Sequence, residues 1–242
     1  MLTLAPLLAA LAAAWPTPAP PAPAAHTAQA PAPESGRPSP ARPKPTGRGP
    51  AAVPRPAITR RFIPLTAQRR RDTAAYAKRH YGRATTTVEP HAIVVHYTVN
   101  DSVDATWNTF APNVADPELR ERPGTCAQFV VARNGRIVQL TPVTFLCRHT
   151  VGLNWAAIGI EHVGRSDAEV LGNAAQLRAS IRLTRWLRCR YGIAVRDVIG
   201  HAESLSSRFH RERVAALRRQ THGDFQRSAM RRYRALVRDA GC

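Results

Sequence analysis

The sequence predicts an α/β fold: a mixed central β-sheet flanked by helices, preceded by a disordered Pro/Ala-rich N-terminal region. Three observations predict it. Apolar runs of strand length alternate with segments of helical period from about residue 64 onward. Within them, "AQFVVARNGRIVQLTP" joins two β-rich runs through Asn134-Gly135, the dipeptide preferred in tight hairpin turns, which adds an antiparallel pair. Finally, 15 of the 21 prolines lie at or before Pro56, in a stretch with no periodic apolar pattern after residue 14. Such a stretch cannot bury enough apolar surface to offset the entropy of ordering it.

Taken in order, residues 67–82 read as a basic helix ended by Gly82, and "HAIVVHYT", 91–98, as the first strand. Residues 102–122 are polar and irregular, with a short helix expected around Asp116–Arg120. The hairpin follows, then the strand "AAIGIEHVG", 156–164. Asn173 to Gln176 has the pattern of a capping box. It opens a helix whose apolar stripe is Leu177, Ile181, Thr184, Leu187 and Tyr191, stopped by Gly192. "AVRDVIGH", 194–201, is a strand reached from that helix, and a last helix spans about 226–239.

Residues 1–30 contain the apolar run "MLTLAPLLAALAAAW", too short to span a bilayer and similar to the apolar core of a secretory signal, though without a basic start. The expected division is therefore a signal-peptide region at 1–30, a Pro-rich linker at 31–63 and one folded domain at 64–242. Export into an extracellular setting follows, with no transmembrane anchor and a monomeric chain. The four cysteines contain no C-x-x-C pair. In an exported protein they suggest two disulfides. Cys126 and Cys147 bracket the open end of the hairpin and are placed to pair, leaving Cys189 for Cys242. The formal charge of +19 favours anionic partners. The arginines are scattered, however, and no nucleic-acid-binding signature appears, so no specific nucleic-acid partner is expected.

Polar residues interrupt three of the apolar strands. His96 ends the first, Glu161 sits inside "IGIEHVG", and His201 ends "RDVIGH". Ligand sites of α/β sheets lie beyond the carboxyl ends of strands. A buried carboxylate needs an ionic or hydrogen-bonded neighbour. A divalent metal with an open position for water answers both anomalies, and catalytic zinc takes three protein ligands. Two are His96 and His201; the loop "RRQTHGDF" offers His222 or Asp224 as the third.

Four stretches then carry a resemblance: "VVHYT", "QFVVARNGRIVQL", "HTVGLNWAAIGIEHVG" and "VIGHAES", in that order. Together they resemble the type 2 N-acetylmuramoyl-L-alanine amidases, the family shared with phage lysozyme-type amidases and peptidoglycan recognition proteins, over roughly residues 88–235. The resemblance implies a zinc-dependent hydrolase of the amide bond between N-acetylmuramic acid and L-alanine in cell-wall peptidoglycan. It implies His96, His201 and Asp224 as zinc ligands, with His222 as the alternative third. Glu161 becomes the catalytic carboxylate. His222 falls where some members carry a Lys, so it inherits an oxyanion-stabilising role. His149 and Asn154 become substrate contacts. The departures are an insertion between His201 and Asp224, Phe225 and Gln226 in place of Pro-Gly, and Ala127 where some members have Tyr. Two other readings compete with this one. One is a peptidoglycan-binding module of the same fold without catalysis. The other is a basic protein that binds nucleic acid or a cell surface through its arginines.

Overall fold

The computed structural model describes residues 53–238 and 242. The signal region, most of the linker and the disorder expected of them lie outside the described residues. The described elements are strands β1 (Ile58–Arg60), β2 (Ala92–Tyr97), β3 (Phe129–Val131), β4 (Ile137–Gln139), β5 (Ala157–His162) and β6 (Val198–Gly200). The helices are α1 (Ala67–Tyr81), α2 (Val103–Phe110), α3 (Asp167–Gly172), α4 (Ala174–Tyr191) and α5 (Arg227–Arg238).

The six strands form one sheet in the order β1-β4-β3-β5-β2-β6. The β3–β4 hairpin is its antiparallel pair; the other neighbours run parallel. β2 and β5 lie inside the sheet and are apolar until His96 and Glu161 because both of their faces are covered. One face packs Ile93, Val95, Ile158 and Ile160 against Leu183 and Leu187 of α4 and Met230 and Tyr233 of α5. On the other face, Val130 and Val138 meet Val103 and Phe110 of α2. Tyr76 and Ala77 of α1 pack on Leu146.

Several local expectations are corrected. Residues 103–110 are helical, opened by Ser102, whose hydroxyl accepts the Ala105 N–H. Asp116–Arg120 is a single turn closed by the Asp116 side chain on the Leu119 N–H. α3 falls where no helix was read, capped by Ser166. Asn173 does cap α4, but the Gln176 amide does not complete the box; it donates instead to the carbonyls of Val131 and Val163. The buried stripe of α4 is turned accordingly: Gln176, Ala179, Ser180, Leu183 and Leu187 face inward, while Leu177, Ile181 and Tyr191 are only partly covered. The strand read at 194–201 begins as a 3₁₀ turn, Val195–Asp197, before β6. The insertion holds short 3₁₀ turns, His201–Ser206 and Ala215–Leu217. It is tied to α1 through His80, whose Nδ1 lies 2.8 Å from Glu212 Oε2. Both disulfides pair as the hairpin geometry suggested, Cys126 with Cys147 and Cys189 with Cys242. No described helix is long and apolar enough to cross a membrane.

β1 lies inside the stretch read as linker. It extends the sheet past β4, and Ile63 behind it is 2% exposed. Two truncations should therefore differ. A chain starting at Pro56 keeps these contacts and its thermal midpoint. One starting at Pro64 loses them, at a cost of about 2–5 kcal/mol, and should melt about 4–20 °C lower.

Candidate metal centre and active site

Strand register places the candidate side chains. His96 of β2 stands opposite Glu161 of β5. Alternation along each strand turns both toward the face that carries α1 and α2, and turns His162 to the other. There His162 is fixed by the His96 carbonyl and the Ser180 hydroxyl, at 2.7 and 2.6 Å. β6 pairs with β2 up to Gly200, so His201, the next residue, emerges beside His96. The third group arrives from the loop before α5. Asp167, at the start of α3, accepts the backbone N–H groups of Phe225 and Gln226, both at 2.8 Å. This holds Phe225 in a left-handed conformation, φ 55°, with its ring in the core. Asp224 is thereby presented to the two histidines, and its carbonyl accepts the Ala202 N–H at 2.9 Å. A side chain at Gly200 would collide with the Phe225 carbonyl, which is why the two loops approach so closely there.

Asp224 Oδ2 lies 3.1 Å from His96 Nδ1, Asp224 Oδ1 3.2 Å from His201 Nδ1, and the two Nδ1 atoms are 3.1 Å apart. A tetrahedral zinc site with bonds near 2.0–2.1 Å has ligand-to-ligand edges of about 3.3 Å. The donor set, two imidazoles and a carboxylate, therefore fits a divalent metal in chemistry and in spacing. Behind it, His96 Nε2 meets His149 Nδ1 at 3.2 Å and Thr150 Oγ1 at 3.3 Å, partners that fix the ring's orientation. Burial opposes the charge on Asp224, but its two histidine partners outweigh that and hold its carboxyl well below the usual range. Burial is the largest influence on His201 too, lowering its pKa to about 4, so the ring is neutral at pH 7, as a ligand must be.

Glu161 is 8% exposed, and its Oε2 is buried without a hydrogen-bond partner among the described residues. Burial pushes its pKa up to about 7, against the pull of His96. A carboxylate that merely tethered a neighbour would show that neighbour; this one faces the cavity beside the metal-binding group.

The asparagine takes a different role from the one the resemblance implied, while His149 stands in the cavity wall beside the metal-binding group. The His149 ring packs over Gly159, where an added Cβ would come within 2.9 Å of it; the room at this glycine belongs to His149 rather than to substrate or water. Burial and the neighbouring histidines keep His149 well below its ordinary pKa, hence neutral. Asn154 is fully buried, so it does not reach a substrate. Its Oδ1 accepts the backbone N–H groups of His149 and Thr150 at 2.9 and 2.7 Å, and its amide donates to the Tyr76 hydroxyl at 3.0 Å. Replacing Asn154 with Ala leaves those groups unpaired and should cost about 3 kcal/mol, read from a denaturant midpoint. Asn154→Asp, which keeps the acceptor, should lose less.

His222 stands beside the group but outside it. Its ring centroid is 4.7 Å from that of His201, while its Nε2 is engaged by Glu118 at 2.9 Å. Asp224, and not His222, completes the three-donor set. The group opens into a cavity of about 320 Å³ that also has Tyr97, Val99, Phe110, Thr125 and Arg148 in its walls. Sequence reasoning missed these, along with Asp167 and Thr150. Val99 carried one signal, an apolar residue just past a strand end. It is 61% exposed and has φ 52°, a conformation that β-branched residues avoid. Val99→Gly should relieve that strain and raise stability by about 1 kcal/mol, measured as a higher thermal midpoint.

The family model described as N-acetylmuramoyl-L-alanine amidase matches residues 86–239, more than half of the chain and every element from β2 to α5. Among solved structures, the chain is similar to the endolysin amidase LysCS from Clostridium intestinale URNW. The two are 22% identical, with 62% of this chain and 84% of that chain covered and a TM-score of 0.45. It is also similar to the hydrolase AmiA of Staphylococcus aureus in complex with its ligand: 15% identity, 76% and 83% covered, TM-score 0.49. A third is the E. coli amidase AmiD in complex with anhydro-N-acetylmuramic acid-L-Ala-D-gamma-Glu-L-Lys: 25% identity, 48% and 50% covered, TM-score 0.37. Among curated proteins, none matches.

Proposed function

The chain belongs to the N-acetylmuramoyl-L-alanine amidase family, and from that premise we propose how its residues hydrolyse the amide bond between N-acetylmuramic acid and L-alanine in peptidoglycan. The observation that carries the proposal is the juxtaposition of Glu161, whose Oε2 is buried without a partner among the described residues, with the convergent donors of His96, His201 and Asp224. These three would hold zinc, with the Asp224 carboxylate offsetting part of the ion's charge. Bound there, zinc supplies a Lewis acid that polarises the substrate carbonyl and acidifies water.

The chain's own residues do the rest. Glu161 takes a proton from the attacking water as the oxygen–carbon bond forms. It then delivers that proton to the amide nitrogen as the carbon–nitrogen bond breaks. The products are the sugar's lactyl acid and a stem peptide with a free amino terminus. His149 and Thr150 keep the His96 ring in place. His222, beside His201 and with Nε2 donating to Glu118, takes the oxyanion-stabilising position that some family members fill with Lys. The substrate enters the cavity past Val99 and Tyr97. Secretion through the N-terminal apolar run would bring the enzyme, acting as a monomer, to its wall substrate.

The test is digestion of a purified, uncrosslinked muropeptide, with products read by mass spectrometry. The account predicts one new amino terminus, on L-alanine. Binding without cleavage would instead support the non-catalytic module, and cleavage at a glycosidic bond would refute the assignment.

A further inference from the structure

A larger cavity, of about 600 Å³, shares no wall residue with the catalytic one. It lies along the edge strand β6 and the outer face of α5. Five arginines line it, Arg196, Arg208, Arg227, Arg231 and Arg234, against two carboxylates, Asp197 and Glu203. The carboxylates are already engaged. Glu203 holds Arg234 with two prongs, Nη1 to Oε2 at 2.6 Å and Nη2 to Oε1 at 3.0 Å. Asp197 holds Arg208 likewise, Nε to Oδ1 at 3.1 Å and Nη2 to Oδ2 at 2.8 Å. Arg196 only touches Asp197, at 4.0 Å. Arg227 and Arg231 have no hydrogen-bond or ion-pair partner among the described residues. They stand one helical turn apart, about 6 Å along the axis of α5.

This arrangement differs from the scattered arginines of the rest of the surface. Two guanidinium groups are fixed in orientation by buried acids, and the remaining positive charge is concentrated in a concave space. A neutral ligand leaves that charge uncompensated, and one carboxylate offsets only a third of the excess of arginines over acids. Phosphate groups carry more charge per group and match the guanidinium fork. The volume accommodates two phosphates with the atoms that join them. A nucleic-acid duplex, convex and wide, would meet only the rim.

We propose that this groove is a second binding site, separate from the catalytic cavity, for a ligand bearing two or more linked phosphate groups. Such a ligand is either a free diphosphate or a single-chain phosphodiester. The site does not depend on the amidase reading, so the test separates the two. Calorimetric titration of the full chain at physiological salt would use inorganic pyrophosphate, a glycerol-phosphate oligomer, citrate and a short DNA duplex as separate probes. Saturable one-site binding of pyrophosphate or of the oligomer is expected, and the tighter of the two identifies the source. In the double variant Arg227→Ala/Arg231→Ala, whose side chains hold no partner among the described residues, affinity should fall at least tenfold while muropeptide hydrolysis stays unchanged. Equal affinity for citrate, preference for the duplex, no binding, or a double variant that binds as tightly would each overturn the proposal.

Discussion

Glu161→Gln should keep the fold and the metal while losing turnover by a factor on the order of 10²–10⁴, the range spanned by removal of a general base. The amide has the shape of the carboxylate but cannot take a proton from water. The pH profile gives a second readout. A base must be ionised, so activity in the wild type falls as pH drops through the pKa of Glu161. In the metal-free protein burial places that value at about 7; a cation bound beside it favours the ionised form and moves the acidic limb lower. The variant should lose this limb. Stability moves the opposite way. The folded pKa of Glu161 is raised from an ordinary 4.5. Its contribution to stability is therefore complete below about pH 4, and is lost as pH rises through 7 and a buried carboxylate must ionise. Chelated Glu161→Gln protein should thus be more stable than chelated wild type at pH 8, by on the order of 3 kcal/mol, and should unfold at a higher temperature. A structural tether would give the reverse, a less stable variant with normal turnover in its folded fraction.

Asp224→Ala should abolish both metal retention and hydrolysis. Removing even an outer partner of a metal ligand costs about 10–100-fold in metal affinity, and a directly coordinating carboxylate should cost more. The side chain lines the cavity, on a loop that Asp167 holds through backbone bonds, so the loop should survive the change. Metal content after dialysis, measured by atomic emission, should drop from one equivalent to a trace, with the circular dichroism spectrum unchanged. His222→Ala should keep its metal, because His222 stands outside the three-donor set. If the roles of these two residues were exchanged, the metal analysis of the pair of variants would show it.

Much of the site was legible because strand chemistry is legible. His96, Glu161 and His201 are polar residues in runs that are otherwise apolar, and parallel strands carry such residues to a common edge. Asp224 was readable only as one of two candidates, since nothing in "THGDF" says which side chain a loop turns inward. What decides it is Asp167, more than fifty residues earlier in the sequence, on a six-residue helix too short to show a period. The role of Asn154 was misjudged for a related reason. A polar residue or a glycine near a site looks the same in sequence whether it touches a ligand or supports a neighbour, and only burial and hydrogen-bond partners separate the two. The helix α2 was hidden by its eight-residue length, too short to show a clear period. β1 was hidden by the prolines around a three-residue strand that depends on its pairing with β4.

One metal is expected among His96, His201 and Asp224, beside Glu161. Anomalous diffraction from crystals of the zinc-loaded protein, recorded on both sides of the zinc edge, tests it most directly. The account predicts a single strong peak about 2.0–2.2 Å from His96 Nδ1, His201 Nδ1 and an Asp224 carboxylate oxygen, with the Glu161 carboxylate facing the open position. A peak bound by His222 in place of Asp224, or no peak between the two histidines at full zinc loading, would contradict it.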